Sequence, residues 1–216
     1  GLFFEITDEK ITVVATDGHR LAMSTAKNTN KGGAPATCII PRKCIAELRR
    51  ILGSFKGNKE MLTEVSVNSR EITFNIGCFV IKSKLIEGNY PDYKKVFPDS
   101  LPNKLMVDKE MLRAALQRMS ILSNDQFKGV KLHIDKSELK LTTNNPSQEE
   151  GEDIIECSYG GDTVEVGFNL NYLLEVIDVV DSKELKLELN DANSGCLISS
   201  GSKTSSNKYI IMPMRV

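Results

Sequence analysis

Asp17 and His19 are the one carboxylate–imidazole pair close together in this sequence. Such a pair can serve general acid–base chemistry when it activates a nucleophile. Both flank Gly18 in the run Ala15-Thr16-Asp17-Gly18-His19-Arg20-Leu21-Ala22-Met23. On either side of a tight turn the two side chains can share a hydrogen bond, so a small Asp17/His19 hydrolase is one reading. Against it, the stretch offers no nucleophile and no third group to orient the imidazole. The only other histidine is His133, and the chain contains no G-x-S-x-G, H-E-x-x-H, G-x-x-x-x-G-K-S/T or G-x-G-x-x-G motif. A lone histidine beside a hairpin more often packs the turn than performs catalysis.

Two segregated charge features and an apolar tail offer a different chemistry. Between Pro41 and Glu60 lie Arg42, Lys43, Arg49, Arg50, Lys56 and Lys59 against only Glu47 and Glu60. Arg113 and Arg118 add positive charge further on. Such a face is either simply solvated or offered to phosphates, in which case the contact is non-specific and strongly salt-dependent. Residues 145–165 are the opposite, with Glu149, Glu150, Glu152, Asp153, Glu156, Asp162 and Glu165 and no Lys or Arg. That stretch reads as a solvated loop and strand edge, or as an acidic docking edge. The run Met212-Pro213-Met214-Arg215 places two methionines where a chain end normally frays. Methionine is flexible and polarizable and is over-used where one surface accepts several ligands. Ile210 reads instead as an ordinary core position on the last strand.

The elements that position these residues follow from periodicity and turn signals. Asp17-Gly18 between two alternating runs predicts a hairpin with a two-residue turn, Gly18 taking the positive φ. On the return strand His19, Leu21 and Met23 then share one face, with Arg20 and Ala22 on the other. Strands are predicted over 2–6, 11–16, 38–40, 64–67, 71–76 and 78–85, with a helix over 42–52 that Pro41 can open. Prolines at 98 and 102 make 97–102 the best linker. Beyond it Asp108 is placed to cap a helix over 109–121, with Leu112, Ala115, Leu116 and Met119 on the buried face. Strands over 131–134, 138–143, 153–159 and 163–168, a helix over 170–180, and strands over 184–189, 195–199 and 209–213 complete an α+β chain.

The two halves repeat. Gly1, Leu2, Ile6, Ile11 and Val13 align with Gly129, Val130, Ile134, Leu139 and Leu141, an offset of 128 residues. Pro41, Ile45, Glu47 and Leu48 align with Asn169, Leu173, Glu175 and Val176 at the same offset. Residues 107–128 have no partner at that offset, and the chain opens Gly1-Leu2-Phe3-Phe4 without a Met. The expectation is a piece of a longer protein that starts inside a domain and lacks that domain's first helix.

Bulk properties narrow the class. At 216 residues the chain suits one or two domains with real cores, and a net charge of -1 gives no global pull toward nucleic acid or membrane. Five scattered cysteines without a C-x-x-C read as reduced thiols of a cytoplasmic protein, with no zinc site or other cofactor expected. No apolar run approaches the ~20 residues that span a bilayer.

The segment 15–22, followed by Pro41-Arg42-Lys43, Tyr90-Pro91-Asp92-Tyr93, Asn144-Asn145-Pro146 with Gln148-Glu149-Glu150, and Met212-Pro213-Met214-Arg215, resembles the beta subunit of bacterial DNA polymerase III, the sliding-clamp family. The resemblance runs through the whole chain in order. It implies repeated processivity-fold domains with antiparallel sheets outside and paired helices on one face. Residues 1–98 would be most of a second clamp domain and 99–216 a third. It further implies a non-catalytic processivity factor, with three such domains per subunit and two subunits in a ring around duplex DNA. Polymerase III catalytic subunit, clamp loader, other polymerases and repair proteins would dock short linear motifs in a cleft between the second and third domains. One wall would be Thr16, Gly18, His19, Arg20 and Leu21 with Pro91, Lys95 and Val96. The other would be Ile210, Ile211, Met212, Pro213, Met214 and Arg215, with Asn193 and Gly195 nearby. Lys95, Asn193 and Gly195 depart from the residues common in the family. The resemblance places Arg42 and Lys43 toward the hole of the ring, and the charge pattern adds Arg49 and Arg50 to the same face. Ile121 and Leu122 would belong to the subunit interface, where Glu149, Glu150 and Glu152 would meet basic residues. Without a first domain this chain is expected to be a monomer.

Overall fold

Alternation of apolar and polar residues builds strands β1 (Leu2–Ile6), β2 (Lys10–Thr16), β3 (Arg20–Lys27) and β4 (Ala36–Ile40) at the start of the chain. The computed structural model describes residues 1–29, 33–55, 62–98, 101–124, 126–202 and 206–215. The predicted basic residues Lys56 and Lys59 and part of the predicted linker, Asp99 and Ser100, lie outside those residues. The chain divides into two compact units, Gly1–Thr16 with Met23–Pro91 and Asp17–Ala22 with Asp92–Val216.

In the first unit β1 pairs antiparallel with β2 on one side and with β4 on the other. Helix α1 (Arg42–Ser54) follows, its first residue preceded by Pro41 in extended conformation. Strands β5 (Thr63–Val67), β6 (Glu71–Ile76) and β7 (Phe79–Lys84) make a second antiparallel sheet in that order. The core lies where these layers meet: Phe4, Cys38 and Ile40 from the first sheet, Cys44 and Ile51 from α1, and Ile72, Phe74 and Ile76 from β6.

The second unit opens with a 3₁₀ turn at Tyr93–Val96, then β8 (Asn103–Asp108) and α2 (Lys109–Leu122). The Asp108 carboxylate accepts the Met111 amide at 2.9 Å and caps α2. Strands β9 (Gly129–Ile134), β10 (Glu138–Asn144), β11 (Glu150–Glu156) and β13 (Val164–Asn169) form one antiparallel sheet, ordered β11-β10-β9-β13. The short strand β12 (Ser158–Tyr159) pairs with β8, and helix α3 (Leu170–Val179) precedes β14 (Glu184–Leu189), β15 (Cys196–Ser200) and β16 (Asn207–Ile211). Strands β8, β14, β15 and β16 pair in that order. Their inner faces and the apolar stripes of both helices enclose a core that includes Leu105, Leu112, Leu132, Phe168, Leu173, Leu187 and Ile198.

Three differences from the sequence expectation have local causes. β8 is not expected from the sequence because its Leu105/Val107 alternation is only two residues deep and sits directly after the prolines. The single strand expected over 153–159 is two strands, broken at Cys157, whose amide donates to Ser137 O at 3.0 Å instead of continuing a ladder. The connection between β2 and β3 is three residues, 17–19, and His19 is in the turn rather than on the strand. Asp17 causes this: its Oδ1 accepts the amides of both His19 and Arg20 at 3.0 Å, which wraps the chain around the carboxylate before pairing resumes.

Candidate docking site

Gly18 makes the turn possible. Its φ is +89°, a conformation that side-chain-bearing residues avoid, and open space surrounds the position a Cβ would take. Past the turn Arg20 is half-buried, Leu21 is buried and Ala22 exposed, the alternation of a strand with one covered face.

Arg20 is the best-anchored charge of the segment. Its Nε meets Asp17 Oδ2 at 3.1 Å, its Nη1 meets Glu175 Oε2 of α3 at 2.6 Å, and its guanidinium lies 4.2 Å from the centre of the Tyr172 ring. Partial burial works against its charge, but the two carboxylates outweigh that and hold its pKa above the ordinary arginine value. For Asp17 burial likewise works against ionisation, and the amides of His19 and Arg20 with the Arg20 guanidinium reverse it, leaving the carboxyl below its usual range. Sequence reasoning does not single out Tyr172 and Glu175. Their three-residue spacing puts them on one face of α3, and that is the signal the sequence offers. Asn169 fixes the start of that helix, its side-chain oxygen accepting the amides of Asn171 at 3.0 Å and Tyr172 at 3.3 Å.

The end of the chain comes back to this turn. The Met212 amide donates to His19 O at 2.8 Å, and the Met214 amide donates to Gly167 O of β13 at 2.8 Å. The tail is thus tied at alternate residues to the turn on one side and to a strand edge on the other. Met212 is 41% exposed, while Pro213 and Met214 are half-buried and Arg215 is exposed. A Cβ at Gly195 would fall 2.8 Å from Ile210 and 3.2 Å from Met212 Sδ, so the absence of a side chain there lets these residues close in. Ile210 and Ile211 are fully buried. As they stand, their side chains support the floor beneath the tail rather than presenting themselves to a ligand, because the last strand's register turns both into packed layers.

The remaining predicted residues are placed differently. Asn193 is exposed in a turn organised by Asp191, whose Oδ1 accepts the Asn193 amide at 2.8 Å. Lys95 is exposed and pairs with Asp92 at 3.4 Å, and Val96 is half-buried in the same 3₁₀ turn. Thr16 and Pro91 belong to the first unit.

The hydrolase pairing does not form. The Asp17 carboxylate is occupied by two amides and a guanidinium, and among the described residues no hydrogen bond reaches the exposed His19 imidazole. His133 instead stands 3.8 Å from Glu165 on the solvent face of β9. Three cysteines, Cys38, Cys44 and Cys196, are buried, and burial pushes the Cys196 thiol up to about 12, away from nucleophilic use at neutral pH.

Elsewhere, Arg42, Lys43 and Arg49 are exposed on α1, and Arg50 pairs with Glu47. At the end of α2, Ile121 is 81% exposed and Leu122 half-buried, with exposed Phe127 following. Gly151 of β11 brings that strand close: a Cβ on it would lie 3.1 Å from Leu122 Cδ1. Glu150 and Glu152 flank this contact, and Glu152 pairs with Lys140 at 2.7 Å.

Solved structures with this architecture are sliding clamps. The crystal structure of the DNA polymerase III subunit beta from Pseudomonas aeruginosa superposes with a TM-score of 0.93 at 34% identity, covering 100% of this chain and 58% of that one. The Pseudomonas aeruginosa clamp bound to griselimycin gives a TM-score of 0.94 at 34% identity, covering 100% of this chain and 57% of the other. The fold is therefore the sliding-clamp fold. Residues 94–215 match the family model for the C-terminal domain of the DNA polymerase III beta subunit, and residues 1–92 match that for its central domain. Beta sliding clamps of Proteus mirabilis and Escherichia coli K12 are 37% and 36% identical over 216 residues, covering 100% of this chain and 58% and 57% of their own lengths. This chain belongs to the DNA polymerase III beta subunit family and spans under three fifths of the length of these relatives.

Proposed function

We propose that residues 1–98 and 99–216 are two successive domains of a DNA sliding clamp, and that the groove beside 19–21 and 212–215 docks short linear peptides. The observation that carries this reading is the main-chain tie between Met212 and His19, which brings an exposed methionine to the turn that precedes the anchored Arg20. Burying an apolar side chain contributes about 1.5–3 kcal/mol. Two or three anchors give micromolar-scale binding after ordering costs of about 0.5–1.5 kcal/mol per immobilised side chain and the loss of free motion. Gly18, Gly195 and the buried pair Ile210/Ile211 support the groove. Leu21, Lys95, Val96 and Asn193 are assigned to it by family resemblance. The ligand classes are segments of the replicative polymerase, the clamp loader, other polymerases and repair proteins.

In the whole protein, subunits join head to tail around duplex DNA, with Ile121, Leu122 and the Glu149–Glu152 acids at the subunit contact. The ring holds DNA by topology, catalyses nothing, uses no cofactor and works in the cytoplasm. Its value to a polymerase is effective concentration: a weak peptide contact keeps the enzyme beside its template. Calorimetric titration of a Gln-Leu-x-Leu-Phe-type peptide tests the docking claim. Met212→Ala is expected to weaken binding about tenfold, equal to about 1.4 kcal/mol. Indistinguishable binding by wild type and variant would remove the groove assignment.

A further inference from the structure

Among the described residues only two methionines are exposed, Met111 on α2 at 42% and Met212 at 41%. Met23, Met106 and Met214 are half-buried, and Met119 is buried. Three of these side chains lie over a glycine, and they do so differently. At Gly201 and Gly151 the methionine atom in contact is a terminal methyl, Met106 Cε 2.9 Å and Met119 Cε 3.5 Å from the place a Cβ would occupy. At Gly195 it is the sulfur itself. Met212 Sδ is 3.2 Å from that place, Ile210 Cγ2 crowds it at 2.8 Å, and the Met212 methyl lies farther away. The Met212 main chain is held as well, its amide donating to His19 O at 2.8 Å.

This arrangement closes one side of the Met212 sulfur. Gly195 is approached so nearly because it carries no side chain, and the tie to His19 fixes the residue at its root. Solvent reaches the exposed residue from the other side. A thioether sulfur carries a lone pair toward each face, and oxygen added to one face or the other gives opposite sulfoxide epimers. Met111 offers nearly the same exposure in the first turn of α2, a comparison within the same chain.

We propose that Met212 is a modification site, resting on the docking reading above: hydrogen peroxide oxidises its sulfur on one face only, and the resulting sulfoxide releases a docked peptide. The sulfur lone pair attacks a peroxide oxygen, an S–O bond forms as the O–O bond breaks, and the remainder of the peroxide leaves as water. The sulfur loses two electrons and the peroxide gains them. A flexible apolar group thereby becomes a polar, chiral one where the tail is offered to a ligand. Covering that oxygen with an apolar peptide side chain strips its hydration and supplies no hydrogen bond in return. Reversal needs a reductase: two thiols become a disulfide, the oxygen leaves as water, and each enzyme takes one epimer. Oxidation on a single face makes the switch reversible by one of the two enzymes and invisible to the other.

Calorimetry with the Gln-Leu-x-Leu-Phe-type peptide, before and after hydrogen peroxide treatment of the 216-residue chain, tests this alongside peptide mapping by mass spectrometry. One added oxygen on Met212 is expected to weaken binding about tenfold. One of the two stereospecific methionine sulfoxide reductases is expected to restore both mass and affinity, and the other to leave both unchanged. Met111→Leu should leave that loss in place, and Met212→Leu should give the same affinity before and after treatment. Thermal melts confirm that the treated chains are folded. The reductase arm, run on wild type alone, decides the matter where Met212→Leu binds too weakly to measure. Undiminished binding with Met212 oxidised, a loss abolished by Met111→Leu, or partial repair by each reductase overturns the proposal while the docking groove stands. Absence of peptide binding by the untreated chain removes the groove itself, and the proposal with it.

Discussion

Asp17 holds its turn by charge as well as by shape, and the two contributions separate with pH. The carboxyl titrates lower in the folded protein than in the unfolded chain, so its charge-dependent stabilisation is present above about pH 4. It is lost as the pH falls through the folded value. Because the side chain is 47% exposed, solvent screens the effect, and Asp17→Asn is expected to lower stability by only about 0.5 kcal/mol at pH 7. Urea denaturation should show wild type and variant converging near pH 2; a difference that grows toward acid would contradict the sign. Arg20 gives a second residue-scale prediction. Its link to Glu175 is exposed on the acid side, so Glu175→Gln should change stability by less than about 0.5 kcal/mol. The same variant should weaken peptide binding severalfold in calorimetry, because Arg20 then loses its charged anchor on α3. Arg20 is legible in the sequence as a cation beside a turn. Its anchors on α3 are not, because the Arg20–Glu175 pair joins residues 155 positions apart in the chain.

At the scale of elements, α3 orients Tyr172 and Glu175, and its start is set by Asn169. Asn169→Ala leaves two amides without their acceptor and is expected to cost about 1 kcal/mol in chemical denaturation. Gly53 makes the opposite prediction: it sits inside α1 with open space where a Cβ would go. Gly53→Ala should therefore stabilise the protein by about 0.4–1 kcal/mol, read as a rise in the denaturation midpoint. Helices and long strands are readable because their apolar stripes are set by residues near one another in sequence. The Asp17-Gly18 turn is readable as a turn but not in its length, since the Asx hydrogen bonds that take in His19 compete with strand pairing. β8 carries too few alternating residues to stand out; its place is fixed by pairing with β14, whose partner residues lie about eighty positions away.

At the scale of the whole molecule, the 128-residue repeat is enough to imply two units, because related cores keep their apolar positions in register. Charge is less legible: Arg113 and Arg118 look like Arg42 and Arg49 in the sequence, and only their partners on α3 and β11 separate them. Ile121 and Phe127 are exposed at and just beyond the end of α2. The 216-residue chain is expected to sediment as a 24.0 kDa monomer, and a ring-sized species would contradict that.

The proposed peptide-docking groove is formed by residues 212–215 together with the Asp17 turn. Backbone-amide NMR of the labelled chain during titration with a Gln-Leu-x-Leu-Phe-type peptide tests it most directly. Saturable shifts are expected, centred on Gly18, His19, Arg20, Gly195, Met212 and Met214, with the amides of α1 unmoved. Shifts centred on the first unit, or none at millimolar peptide, would contradict it.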